Sequence, residues 1–200
     1  MQTVESPITI GAHRLSLGEV AELRALGMLT EGGELLPPAG VPAQESVGRY
    51  PIEAPDVLNE AYNYTFPAYK MAASFTRGLR IPLGAMTLLL ISGTASVDEN
   101  GKTIHPGDFR AQCWRTYRNI THLLEAEGAT WHDIVRCSCY MRDIERDYDE
   151  FNEVRNCFFQ WLGLNPLPAS TGIQARLCRE DLLIEIEAIA MIPTDRAKTL

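Results

Sequence analysis

The chain has 200 residues, of which 46% are hydrophobic and 22% are charged, and its formal net charge is -8 at pH 7. This composition is typical of a soluble globular protein that is long enough to bury a core of its own. The acidic balance argues against nucleic acid or an anionic membrane as the main partner.

The sequence shows no feature of membrane insertion or export. No stretch approaches the ~20 apolar residues of a membrane span, and the longest apolar run covers residues 88–91. The N-terminus lacks a basic flank followed by an apolar segment, so we expect no signal peptide. Five cysteines without framework spacing indicate reduced thiols, and we therefore predict a cytoplasmic location.

Residues 1–73 differ in character from the remainder of the chain. The sequence Ser16-Leu17-Gly18-Glu19 predicts a capping box that opens a short helix ending near Gly27. Glycines and prolines are frequent from 32 to 55, and one or two helical turns are expected within 56–62. We interpret 1–73 as a partly helical, irregular extension, and 74–200 as a single domain. An aromatic cluster is expected to dock on this domain or on a neighbouring subunit: Tyr62, Tyr64, Phe66 and Tyr69.

The elements predicted after residue 74 alternate between strands and helices. Strands are expected over 75–81, 86–91, 134–141, 171–177 and 182–191, with helices over 108–127 and from Asp147 onward. The first helix places Phe109, Cys113, Tyr117, Ile120 and Leu124 on one face, and the second places Tyr148, Phe151, Val154, Phe158 and Trp161 on another. The order β-β-α-β-α-β-β predicts an α+β fold with two helices packed on one face of a mixed sheet. The other face of such a sheet is commonly buried by oligomerisation.

The last predicted strand carries two carboxylates among aliphatic residues. Side chains alternate along a strand, so Leu183, Glu185, Glu187 and Ile189 share one face, while the opposite face is wholly apolar. Charges in such a strand need partners. The glutamates therefore lie at a wet edge or an interface, or at least one of them acts as an acid or base.

Several segments resemble the RidA/YjgF superfamily in their order and spacing from about residue 74 to 192. They are Leu90-Ile91-Ser92-Gly93, Leu123-Leu124-Glu125-Ala126-Glu127-Gly128, Asp133-Ile134-Val135, Asp143, Phe151-Asn152-Glu153-Val154, Pro168-Ala169 and Ile184-Glu185-Ile186-Glu187-Ala188-Ile189-Ala190. The resemblance implies a chorismate-mutase-like α+β fold, a homotrimer, and small-molecule pockets in the clefts between subunits. It also implies hydrolysis of reactive enamines and imines such as 2-aminoacrylate.

One residue of the family pattern is missing. The deaminases of the family have Pro-Ala-Arg-Ser, in which the arginine binds the substrate carboxylate by a bidentate pair. Counting back from the last strand without gaps, this chain has Pro168-Ala169-Ser170-Thr171. Arg77 and Arg176 are candidates to supply the missing charge, or they are ordinary surface arginines.

A narrower set of segments resembles the C-terminal half of the chorismatases, which cleave the enolpyruvyl group of chorismate. These segments are Ser74-Phe75-Thr76-Arg77, Leu90-Ile91-Ser92-Gly93-Thr94-Ala95-Ser96-Val97, His105-Pro106-Gly107-Asp108 with Gln112 and Arg118-Asn119-Ile120, and Leu177-Cys178-Arg179-Glu180-Asp181-Leu182-Leu183-Ile184-Glu185. The chain lacks the other half of those enzymes. The comparison implies a biosynthetic enzyme that acts on a carboxylate-bearing cyclic or enol-ether compound.

Candidate site residues follow from these resemblances. Glu185 matches the family's catalytic glutamate, and a carboxyl group partly removed from water in a cleft has a raised pKa that suits proton transfer. The alternative is a glutamate paired at a trimer interface, and for Glu187 such a structural role is favoured. The remaining substrate-binding candidates each have a structural alternative: Phe75 (pocket wall or core), Ser92 and Gly93 (backbone N–H donors or a strand bend), and Ser170 and Thr171 (weak ligand contacts or loop packing).

No motif indicates a cofactor or a metal. Cys137 and Cys139 share a strand face, but two ligands alone do not make a zinc site, and we predict that both lie in the core. Three function classes stay open: a hydrolase or lyase that uses Glu185 on an enamine, imine or enol ether, a non-catalytic small-molecule binder, and an accessory subunit of another enzyme.

Overall fold

The computed structural model describes residues 8–10, 13–36, 48–54, 57 and 75–197. The chain divides into two compact units, Met1–Ser46 and Val47–Leu200. The predicted aromatic cluster, and the predicted helical turns over 56–62 apart from Val57, lie outside the described residues.

The first unit contains a small hairpin and one helix. Strands β1 (Thr9–Ile10) and β2 (His13–Arg14) pair antiparallel, and helix α1 spans Leu17–Ala25. The predicted capping box is confirmed: the Glu19 N–H donates to Ser16 Oγ at 3.2 Å, and the Ser16 N–H donates to Glu19 Oε2 at 2.7 Å. These bonds satisfy N–H groups that the first helical turn leaves without intrahelical partners.

The second unit is a six-stranded sheet covered by two long helices. Its elements are β3 (Tyr50–Pro51), β4 (Gly78–Leu83), β5 (Met86–Ala95), α2 (Phe109–Glu125), β6 (Ile134–Met141), α3 (Ile144–Leu162), β7 (Ala169–Gln174) and β8 (Ile184–Pro193). The strand order is β3-β4-β5-β8-β6-β7, and only β6 and β7 run parallel. From β4 onward this matches the predicted order of elements and the α+β fold.

The sheet begins earlier in the chain than the predicted boundary at residue 74. Strand β3 pairs with β4, and the side chain of Ile52 is fully buried in the main core. The Ile52 N–H donates to Gly78 O at 2.9 Å, and a Cβ on Gly78 would lie 3.0 Å from Ile52 Cδ1. Tyr50 and Pro51 therefore belong to the sheet, and the Ile52 and Ala54 side chains that follow them are buried in the main core.

The core lies between the sheet and the helices. Strand β8 contributes Ile184, Ile186, Ala188, Ala190 and Ile192, which are all buried, as the alternation predicts. The predicted apolar face of α2 is buried throughout, and Tyr117 stacks on Phe158 of α3 with ring centroids 4.7 Å apart. On α3 the prediction is wrong at both ends, because Tyr148 is 45% exposed and Trp161 is 78% exposed.

Helix α3 begins earlier than predicted. Asp143, not Asp147, is the N-cap, and its Oδ1 accepts from the Arg146 N–H at 3.0 Å. Asp147 lies inside the helix, buried, and accepts from Arg146 Nε at 2.6 Å and Nη2 at 2.7 Å. Both aspartates have the side chain of an N-cap, and the helix starts at the first of them.

The three cysteines of the core are poor nucleophiles. Cys113, Cys137 and Cys139 are buried, as predicted for the latter two. Burial raises the pKa of the Cys137 thiol to about 12, and it also raises the pKa of Cys113 and Cys139. Loss of a proton from these thiols would place a charge in the apolar core.

The buried thiols make stability sensitive to alkaline pH. Cys137 keeps its proton in the fold up to about pH 12, whereas an unburied thiol titrates at 9.0, so the unfolded state binds fewer protons above pH 9. The free energy of unfolding should be unaffected by this thiol below pH 9. The contribution of Cys137 should then fall by about 1.4 kcal/mol per pH unit as the pH rises toward 12, and Cys113 and Cys139 should add to this slope in the same direction.

Urea denaturation between pH 8 and 11 measures this slope. Cys137→Ala should reduce the slope, and Cys178→Ala, which removes an exposed thiol, should leave it unchanged. Equal slopes for both variants would contradict the prediction.

Candidate functional site

The face of the sheet that points away from the helices, called the open face below, carries the predicted glutamates. On β8 the side chains of this face are Glu185, Glu187 and Ile189, which alternate with buried residues and are all half-buried. Leu183, which was predicted on the same face, precedes β8 and packs against the main core, because the alternation of the strand begins only at Ile184. The register aligns Glu185 with Tyr140, Glu187 with Ser138, and Ile189 with Arg136 of β6. The open face therefore has a polar half near Glu185 and an apolar half that includes Leu79, Leu88 and Leu90.

A bulge in β5 interrupts the pairing next to these carboxylates. Ile91 pairs with Ala188 and Thr94 with Ile186, so Ser92 and Gly93 together oppose the single residue Glu187. Such an extra residue bends the strand and redirects the side chains around it. The predicted Ser92-Gly93 feature is therefore a bulge within a longer strand, and not the end of a strand.

Four hydrogen bonds fix the bulge. Ser92 Oγ donates to Thr76 O at 2.7 Å, and the Ser92 N–H donates to Arg77 O at 3.0 Å. Arg77 Nη1 donates to Gly93 O at 2.8 Å, and Thr94 Oγ1 donates to Ser92 O at 2.8 Å. The Ser92 N–H is thus engaged within the sheet, and the expectation that it is offered to a ligand is wrong.

The carboxylate of Glu185 lies directly over Gly93. A Cβ added to Gly93 would be 1.9 Å from Glu185 Oε1 and 2.9 Å from Cδ. Only a residue without a side chain permits this approach. The bulge and the glycine together determine where the carboxylate lies.

Glu187 has a partner on the neighbouring strand. The Tyr140 hydroxyl donates to Glu187 Oε1 at 3.0 Å. Desolvation, and then the hydrogen bond to this carboxylate, raise the pKa of Tyr140. The phenol therefore keeps its proton and remains a donor, which supports the structural role predicted for Glu187.

A small apolar cluster borders Glu185 on the open face. Ala95, which pairs with Glu185, packs with Leu177 and Leu182. Buried Gln112 holds the turn before β8: its Nε2 donates to Asp181 O at 2.8 Å, and its Oε1 accepts from the Leu183 N–H at 2.8 Å. Arg142 also holds this turn, with its Nε donating to Leu182 O at 2.6 Å.

Two of the predicted binding residues, Arg77 and Phe75, lie near Gly93, and a third, Arg176, does not belong to this group. Arg77 lies beside the bulge, and its guanidinium stacks over the ring of Phe75 at 4.6 Å, so both belong to the surroundings of Gly93. Phe75 is 46% exposed, which favours a pocket wall over a core position. Arg176 is exposed in the turn after β7.

Strand β7 carries Ser170, the residue that the count from the last strand matches to the family's arginine, and Thr171. Ser170 points toward the helices, where its Oγ lies 3.8 Å from Cys139 Sγ and accepts from Arg155 Nη1 at 3.3 Å. Ala169 and Thr171 lie on the open face, beside Arg136 and Ser138. Ser170 therefore lies on the helix side of β7 in its own chain, whereas Glu185 lies on the open face.

Tyr140 and Arg136 were not among the predicted site residues. Both lie on β6 at positions that alternate with buried cysteines, and this period-2 pattern is the signal that would have placed them on the face of the glutamates.

Within the described ranges, no group of three or more His, Cys, Asp or Glu side chains is arranged to hold a metal ion. Among the same residues, no helix has the length and apolar character needed to cross a membrane.

Residues 65–192 match the model of the family described as Endoribonuclease L-PSP. This match covers more than half of the sequence. The chain belongs to this family. The resemblance to RidA/YjgF proteins predicted from the sequence is thereby confirmed, since the YjgF gene product of E. coli is among the solved structures with this fold, at 27% identity and a TM-score of 0.50 over 67% of this chain and 95% of that one.

This L-PSP family member shares moderate sequence identity with several other proteins. It is 28% identical over 127 residues to a RutC family protein of Pyrococcus abyssi, covering 64% of this chain and 93% of the relative. It is 31% identical over 108 residues to the 3-aminoacrylate deaminase RutC of Acinetobacter baylyi, covering 54% of this chain and 82% of the relative. The structure of E. coli TdcF with bound serine shares the fold, with a TM-score of 0.56 at 23% identity over 72% of this chain and 98% of that one.

The contact between Gly93 and Glu185 can be tested by adding one methyl group. Gly93→Ala should displace the flexible carboxylate and leave the fold intact, because the close atoms belong to the end of the Glu185 side chain. We expect unchanged circular dichroism and a shift of the thermal midpoint of only a few degrees, with altered NMR signals at Glu185. Gly18→Ala would add a methyl group whose nearest neighbour is Ser16 Oγ at 3.9 Å, and it serves as the control that should leave the Glu185 signals in place.

Proposed function

We propose that the chain hydrolyses or cleaves, with proton assistance, a carboxylate-bearing enamine, imine or enol ether, and that Glu185 carries the proton. The position of the Glu185 carboxylate over the Ser92-Gly93 bulge, next to an apolar cluster, is the observation that supports this proposal. The proposed substrate is a small carboxylic acid, and no cofactor is required by this chemistry.

The proposed reaction types share one chemical requirement. A proton must reach the carbon of an enamine or enol ether, and water must then attack the resulting cation. A carboxyl group at the border of an apolar cluster can deliver the proton and afterwards orient the water. The bulge and Gly93 leave space for this carboxylate against the backbone before substrate binds, and a group already placed for the reaction lowers the cost of reorganisation.

The names of relatives favour the deaminase branch of this proposal. A relative at 31% identity is a 3-aminoacrylate deaminase, and enamines of this class have the carboxylate and the protonatable carbon that the proposal requires. The chorismatase-like segments noted in the sequence keep enol ethers among the substrates to be tested, in a biosynthetic context.

We place the reaction in a cleft between copies of a cytoplasmic homotrimer. The apolar half of the open face leaves Leu79, Leu88, Leu90 and Ile189 only half-buried in the single chain, and Met191 is 38% exposed. Covering these side chains by a second copy removes apolar surface from water. The polar half then borders the covered surface.

A second candidate function is a non-catalytic small-molecule-binding or accessory subunit. The observation in its favour is the absence of an arginine from the open face of β7, where Ala169, Thr171 and Ile173 stand. A binder needs no proton transfer, so the exchange of Glu185 distinguishes the two functions.

Turnover assays test the proposal. Ammonia release from 2-aminoacrylate and 3-aminoacrylate generated in situ, and pyruvate release from chorismate, should reveal at least one substrate. Glu185→Gln should reduce that rate by about 10²-fold or more, because an amide cannot carry the proton. Glu153→Gln makes the same chemical change on an exposed position of α3, and it should keep full activity. Full turnover by Glu185→Gln, or none with any of the three substrates by the unmodified chain, would contradict the proposal.

A further inference from the structure

We propose that the outer face of helices α2 and α3 docks a second copy of this chain. The observation that carries this inference is a pair of exposed tryptophans, Trp114 and Trp161, at the centre of a face whose charges complement one another. The inference is independent of the proposed function, because the helices cover the side of the sheet opposite the open face.

Two exposed stripes form this surface, which is called the helix face below. Residues spaced by four lie on the same side of a helix, one turn apart. The stripe on α2 and the stripe on α3 each follow this spacing, and every member is exposed: Arg110, Trp114 and Arg118 on α2, and Glu153, Cys157 and Trp161 on α3.

The two stripes lie side by side. Arg110 Nη1 donates to Glu153 Oε2 at 2.7 Å. About one turn later on both helices, the ring of Trp114 lies 6.0 Å from that of Phe158, with the centroids as reference points. The helices therefore run in the same direction, and Arg118 on α2 falls level with the C-terminal end of α3, where Trp161 lies.

The centre of the helix face is aromatic. Phe158 is buried, and it packs edge-on against Trp114 and stacks on Trp161 with centroids 6.1 Å apart. The outer two rings of this row stay in water, because Trp114 is 40% exposed and Trp161 is 78% exposed. Tryptophan is enriched in protein interfaces and among the residues that dominate their binding energy. A partner that covers both rings removes a large apolar area from water.

The distribution of charge indicates that the partner is a second copy. The chain has a net charge of -8, so copies repel one another over most of their surface. The helix face is an exception, because its guanidinium groups lie on α2 and its carboxylates on α3. Glu150 also lies near Arg110, whose pKa is raised by its hydrogen bond to Glu153 and by the charge of Glu150. The two arginines of the face therefore balance the two glutamates.

A two-fold axis parallel to the helices satisfies this pattern. Such an axis places α2 of each copy against α3 of the other, so every contact occurs twice. Arg110 then meets Glu153 of the second copy, and Arg118 meets the ring of Trp161. Arg118 makes no hydrogen bond or ion pair with the residues that the structure describes, and a guanidinium over an indole ring is a favourable contact.

Light scattering after size-exclusion chromatography tests the pairing. The unmodified chain should contain an even number of copies, and its mass should be at least twice that of Trp161→Ser, while Trp161→Phe should keep more of the larger assembly. Tyr148→Ser removes another exposed ring of α3, on the side near Gly172, and should keep the mass of the unmodified chain. Circular dichroism checks that each variant is folded. An odd number of copies, or equal masses for the unmodified chain and Trp161→Ser, would overturn the inference.

A charge reversal tests the placement of α2 against α3. Arg110→Glu sets two glutamates against each other between copies and should reduce the mass as Trp161→Ser does. The double variant Arg110→Glu with Glu153→Arg reverses both partners and should recover the larger mass. A double variant with the mass of the single one would contradict this placement.

Thiol labelling tests whether the helix face is covered. Cys157 lies between Glu153 and Trp161 on the α3 stripe, so a maleimide should label it on the order of tenfold more slowly in the unmodified chain than in Trp161→Ser. Cys178, an exposed thiol before β8, serves as the control and should be labelled at the same rate in both. Equal rates at Cys157 would show that this face is open in solution and would overturn the inference.

Discussion

Strand β8 hydrogen-bonds to β5 on one side and to β6 on the other, and the alternation of its side chains joins the core to the open face. Ile184, Ile186 and Ala188 are buried under the helices. The two glutamates between them must therefore point away from the core. A shift of one residue in register would bury both carboxylates. The packing of the aliphatic side chains on one face of β8 therefore determines that the glutamates lie on the other face.

The bulge in β5 adds direction to this arrangement. A regular strand would have placed a side chain beside Glu185, whereas the bulge brings Gly93 there and lets the carboxylate lie against the backbone. Its hydrogen bonds involve Thr76, Arg77 and Thr94, none of which needs a ligand to hold its position. The backbone beside the carboxylate is thus fixed by the sheet itself, which is the kind of support that a reactive group needs to keep one geometry.

The sequence was sufficient for the fold of the second unit and for the face on which Glu185 lies, because both depend on periodicity in long segments. It was insufficient where two residues could both cap a helix, and where the face of a short strand had to be inferred from a residue count across a loop. Asp143 and Asp147 have the same capping side chain, and only the packed helix distinguishes them. The count from the last strand selects Ser170, but only the structure shows that its side chain points toward Arg155 on the helix side. The place of Ile52 in the core also escaped prediction, because a two-residue strand among prolines and glycines has no periodicity to recognise.

Side chains along β6, β7 and β8 alternate between the helix side and the open face, and the two sets are under different constraints. Residues that point toward the helices are constrained by packing, because a change in their volume or polarity disturbs the core. Residues that point the other way carry no part of the main core, so their chemistry can change while the fold persists. Substitutions at every second position of these strands can therefore change what the open face binds without disturbing the core.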